Sequence, residues 1–101
     1  MPMPETLDAA IEALDKLLGD EDRDHILRAE DPGKAVVRMH HSLGRHIRNE
    51  WGLWQGSALA QFMRARGTSH PDDMSHEIIM EWVKSKMPTI WQRIMHDKLP
   101  V

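Results

Sequence analysis

Apolar residues recur along this chain at helical spacing. Leu7, Ile11, Leu14 and Leu18 follow one another at intervals of four, three and four, with Ala10 beside them. That pattern is one face of a helix. Thr6 stands where an N-cap belongs, Asp8 falls in the first turn, and Gly19 can close the helix in a left-handed conformation. A short second helix is predicted over 22–29, with Ile26 and Leu27 facing inward. Asp31-Pro32 reads as N-cap and first residue of a long helix running to about Trp51. Steps of about 100° per residue set Val36, Met39, His40, Leu43, Ile47 and Trp51 on one side, and Lys34, His41, Arg45 and Arg48 on another. Gly44, at the flank of the apolar stripe, reads as a point of close approach by another helix.

The remainder continues in the same period. Gly52 and Gly56 bracket a turn carrying Leu53 and Trp54, and Ser57 caps a fourth helix with Leu59, Phe62 and Met63 inward. His70-Pro71-Asp72-Asp73 opens a fifth helix containing Ile78, Ile79, Trp82 and Val83, which Pro88 breaks. A last helix over about 89–97 carries Ile90, Trp91, Ile94 and Met95. No alternating strand pattern, hairpin signal or internal repeat accompanies these segments. The expected fold is all-α: one domain over 1–101, with five to six short helices around a long central helix at about 32–51. Residues 1–4 and 98–101 are expected to fray.

Composition narrows the function classes. The 101 residues contain no cysteine, which removes disulfides, thiol nucleophiles and Cys-ligated metals. No apolar run approaches the roughly 20 residues that cross a bilayer, and the N-terminus lacks the pattern of a signal peptide. A cytoplasmic protein with no membrane partner is the expectation. The net charge of −3 is unevenly distributed: −7 over residues 1–32, +5 over 33–66 and −1 over 67–101. Either the acidic first third packs beside the basic middle, or a basic face stays free for an anionic partner.

The densest stretch of distinctive residues runs from His41 to Trp54 and is followed by His70-Pro71-Asp72-Asp73-Met74-Ser75. Together these segments resemble a family of small uncharacterised bacterial and phage domains. The family pattern is His-x-x-Leu-Gly-x-x-Ile-Arg-Asn, then Leu-Trp, then His-Pro-Asp-Asp-Met-Ser. The matching positions are His40 or His41, Leu43, Gly44, Ile47, Arg48, Asn49, Leu53, Trp54 and 71–75. The resemblance covers about residues 5–85 and implies no activity.

The same residues supply the candidate site: His41, Arg45, Arg48, Asn49, Trp51, Trp54, Asp72, Asp73 and Ser75. Arg48 offers a planar fork suited to a carboxylate or a phosphate. In a structural reading it reaches Asp72 or Asp73 and ties the third helix to the start of the fifth, with Trp54 as the buried plug and Trp51 the more exposed ring. In a functional reading, His41, Arg48, Asp72, Asp73 and Ser75 line a polar pocket. In a third, Trp51 and Trp54 with Arg48 anchor a protein partner.

Enzyme signals are weak. Seven histidines include no pair three or four apart, the spacing that a helical metal pair needs. His76-Glu77-Ile78-Ile79-Met80 begins like a zinc-protease motif, but Met80 stands where the second histidine is required. An Asp72–His76 pair and a His41/Asp73/Ser75 triad are conceivable on spacing alone. His40, within the apolar stripe, reads as a hydrogen-bonded core residue. No metal or cofactor is expected. The expected function is a non-enzymatic module that binds or inhibits another protein. The alternatives are a ligand or nucleotide pocket at the His/Arg/Asp cluster, and a nucleic-acid binder using Lys34, Arg45, Arg64 and Arg66.

Overall fold

Capping chemistry at Thr6, Asp31 and Ser57 starts helices where the sequence predicts them. In the computed structural model, which describes residues 3–98 and side-chain surroundings through 96, the Thr6 hydroxyl accepts from the Ala9 N–H at 3.2 Å and opens α1 (Leu7–Leu17). The Asp31 carboxylate accepts from the Lys34 N–H at 3.1 Å and opens α3. Ser57 does the same for the Ala60 N–H at the head of α4 (Ala58–Ala65). Each cap satisfies an N–H that has no partner inside its helix. α2 (Asp20–Arg28) begins at Gly19, whose N–H donates to Asp22 Oδ2 at 3.1 Å. Gly19 is therefore not a left-handed C-cap: its φ is −82°, because Leu18 is already extended and ends α1.

α3 is the longest helix. It comprises Pro32–Met39, a π-helical turn His40–Gly44 and Arg45–Glu50. α5 (Pro71–Lys86) and α6 (Pro88–Lys98) follow, and α6 starts on the proline that stops its predecessor. The six helices make one all-α domain with no strands among the described residues. α5 packs against α1, α3, α4 and α6, and α2 leans on α3. Met74, Ile78, Ile79, Trp82 and Val83 of α5 are wholly buried, together with Leu14, Ile26, Ile47, Leu53, Leu59 and Met63 from the surrounding segments. Of the ends expected to fray, 1–2 and 99–101 lie outside the described residues, whereas Pro4 is buried.

Two expectations about facing are corrected. Leu27 is 51% exposed while Ile26 is buried, because α2 turns only one narrow stripe toward α3. Trp51 and Trp54 exchange their expected roles: Trp51 is 7% exposed and Trp54 53%. Trp51 continues the stripe of Leu43 and Ile47 at spacing four, so it follows them into the core. Gly52 then turns the chain with φ +65°, sending Leu53 inward and Trp54 outward. Trp91 is half-buried, and the Lys84 ammonium lies over its ring at 4.9 Å.

The charge blocks do not neutralise one another through ion pairs. Among the described residues, the acidic first third pairs with its own Arg23, through Asp15 and Asp20, and with Lys86 of α5, through Asp15. From the basic middle, Arg48 pairs with Asp72 and Arg66 with Glu77, both on α5. Lys34, Arg38, Arg45 and Arg64 are exposed. The cause is topological: α1 packs chiefly on α5, and α2 meets α3 through apolar residues.

Candidate functional site

The π turn sets the geometry of the polar cluster. Residues eight apart in an ordinary α-helix are about 80° out of phase. The wider turn at His40–Gly44 absorbs roughly that excess, so His40 and Arg48 point the same way, at one target on α5. Arg48 Nη1 donates to Ser75 Oγ at 2.9 Å, and His40 Nε2 lies 3.2 Å from the same oxygen. Arg48 Nε pairs with Asp72 Oδ1 at 3.3 Å. Gly44 lies between them in the helix. A Cβ there would stand 3.0 Å from Arg48 Nη1 and 3.0 Å from the His40 ring. The glycine thus makes room for two side chains of its own helix rather than for a neighbouring helix.

Ser75 is fully buried, and its single hydroxyl proton goes to the Asp72 carbonyl at 3.0 Å. Its lone pairs then accept from Arg48 and from His40, which assigns the proton of neutral His40 to Nε2. The His40 ring also meets His76 edge-to-face at 5.3 Å. Burial, then the neighbouring His76 and Arg48 charges, hold the His40 pKa below its usual value of 6.5, against a hydrogen bond to the Asp72 backbone that raises it. A serine nucleophile requires the opposite arrangement, with its proton given to histidine and its oxygen open to substrate.

At the head of α5, His70 Nδ1 accepts from the Asp72 N–H at 3.1 Å as the N-cap. The His70 ring stands against Trp54, centroids 5.7 Å apart and planes at 79°. Trp54 sits on a pinned turn. Leu53 N–H donates to the Arg48 carbonyl, Ser57 N–H to the Gly52 carbonyl, and Ser57 Oγ to the Trp51 carbonyl at 2.8 Å. Gly52 and Gly56 take φ of +65° and +71°, which only glycine tolerates easily. The Arg64 guanidinium passes 3.8 Å from where a Cβ on Gly56 would be.

The structure therefore brings Arg48, Asp72 and Ser75 together, adds His40, and sets Trp54 on the rim through His70. His41, Arg45, Asn49 and Asp73 are exposed, and neither His41 nor Asp73 is hydrogen-bonded to Ser75, so the triad spacing is not realised. Asp72 pairs with Arg48, and the His76 ring meets His40. Trp51 faces the core. Sequence reasoning missed His40 as a partner of Arg48, because a uniform helical phase separates them. It also missed Asp15, whose carboxylate faces Arg23, Lys86 and the Trp82 indole N–H, and Glu77, which holds Arg66 and Thr68. His70 was visible in principle, since it stands where an N-cap belongs before Pro71.

Among the described residues no group of three or more His, Asp or Glu side chains could hold a metal ion, and no helix is long and apolar enough to cross a membrane. Surface cavities of about 320 to 680 Å³ open elsewhere among the described residues, on linings that do not include Arg48, Asp72 or Ser75. A family model for a domain of unknown function (DUF6794) matches residues 3–86. No curated protein and no solved structure matches the chain.

Proposed function

The chain belongs to the DUF6794 family, and we propose that it acts as a non-enzymatic protein-binding module that presents Trp54 to its partner. The observation that carries this reading is the 53% exposure of Trp54 on a turn whose backbone is held at both ends. A rigid, exposed indole brings a large apolar area to an interface and loses little conformational freedom there. Its rim is mixed, with His70 at the ring and Arg64 beside the same turn. In this reading the His40–Arg48–Ser75–Asp72 network fixes the platform rather than touching the partner. Its hydrogen bonds converge on the Ser75 hydroxyl, which is enclosed. For the same reason a ligand pocket at this cluster is the weaker reading. A nucleic-acid role would have to rest on exposed basic residues in a chain of net charge −3.

The test uses the wild type and Trp54→Ala as paired baits in extract from the native host, with captured proteins quantified by mass spectrometry. The expected result is a protein enriched by the wild type and lost with Trp54→Ala, while the two melts coincide. Identical captured sets would overturn the reading.

A further inference from the structure

Two consecutive helices carry exposed charge of opposite sign. On α3, Lys34 and Arg38 are exposed, one turn apart, and neither has an ion pair among the described residues. They edge a groove of about 350 Å³ whose apolar wall is Val36, Val37, Met80 and Ile94, drawn from α3, α5 and α6. Val37 is itself 51% exposed. The one carboxylate at this groove, Asp31, is committed to capping the Lys34 N–H. On α2, Asp20, Asp24 and Leu27 fall on one stripe and line a common cavity. Leu27 is 51% exposed, Asp24 has no ion pair among the described residues, and Asp20 pairs only with Arg23 of its own helix.

We infer that the groove on α3 receives α2 of a second copy of this chain, with Asp20 and Asp24 facing Lys34 and Arg38 and the exposed Leu27 on the same contacting stripe. The charges match in register as well as in sign: both pairs are four residues apart, about 6 Å along a helix. The chain's own α2 cannot fill this role, because it already packs on α3 through Ile26 and forms no ion pair with Lys34 or Arg38. Because donor and acceptor patches lie on neighbouring helices, a two-fold axis makes each contact twice. This surface is independent of Trp54, so either proposal can fail without the other.

Sedimentation equilibrium of the full chain tests it. The expected result is a concentration-dependent dimer that weakens as salt screens the exposed pairs. Arg38→Glu and Asp24→Lys should each raise the dimer dissociation constant about ten-fold or more, since like charges then meet at both contacts. Mixing the two variants should restore association as a heterodimer, because one contact then keeps the native Asp24–Arg38 pair and the two reversed charges face each other at the other. Both positions are exposed helix surface, and each variant is melted alongside the wild type. Where a reversal lowers the melt, Lys34→Glu stands in for Arg38→Glu and Asp20→Lys for Asp24→Lys. A monomer at about 1 mM, the range of very weak complexes, would overturn the inference. So would a dimer indifferent to either reversal, or a mixture that does not associate.

Discussion

Arg48→Ala removes the side chain that joins α3 to α5. Arg48 is 16% exposed at its side chain and donates to Ser75 Oγ at 2.9 Å. A hydrogen bond from a charged donor contributes about 1.5–3 kcal/mol. The ion pair with Asp72 adds little, because the Asp72 side chain is 58% exposed and a pair of that kind is worth about 0.5 kcal/mol. Ser75 keeps partners in His40 and the Asp72 carbonyl, so no buried hydroxyl is orphaned to enlarge the loss. The expected cost is therefore about 2 kcal/mol, or about 10 °C in Tm for a domain of this size. Urea denaturation followed by circular dichroism measures it directly. A double-mutant cycle with Ser75→Ala should return a coupling of about 1 kcal/mol. A loss below about 0.5 kcal/mol, or additive single effects, would refute the view that this contact ties the two helices.

Trp51→Ala should cost about 3–5 kcal/mol as a truncation in the core, whereas Trp54→Ala should leave the melt nearly unchanged; equal losses in the two variants would count against the facing described here. His40 has a folded-state pKa below its usual 6.5, so the unfolded chain binds the extra proton first and stability rises with pH. The His40 contribution is whole above pH 6.5 and is lost as pH falls from there toward the folded-state pKa. Denaturation across that window should show a shallower pH dependence for His40→Gln than for the wild type, and matching slopes would exclude the assignment. Gly44→Ala should fail to give the roughly 1 kcal/mol that alanine offers over glycine inside a helix, because its Cβ meets Arg48 and the His40 ring. In an Arg48→Ala background part of that gain should return, and a full gain in the wild-type background would show that the glycine is not needed for space.

Sequence alone determined the helical content, the N-caps at Thr6, Asp31 and Ser57, the break at Pro88 and most of the apolar face of each helix. These follow from short-range rules: a period near 3.6, a side-chain oxygen that satisfies an end N–H, and a proline that lacks one. The Arg48–Asp72 contact was also legible as one of two options, because a long cation and a first-turn carboxylate are natural partners. Only the tertiary structure decided the rest. The π turn at His40–Gly44 changes the phase of everything after it, and no spacing rule announces such a turn. It moves Arg48 from the polar side onto Ser75 and brings His40 to the same oxygen. The reversal of Trp51 and Trp54 depends on how the left-handed Gly52 redirects the chain over a core already filled by Leu53. Asp15 became a hub only when α1, α2 and α5 met, since its partners lie at residues 23, 82 and 86. Local pattern determines what each segment becomes. Which polar groups meet depends on how the helices pack, because burial makes an unpaired group costly and selects the arrangement that pairs it.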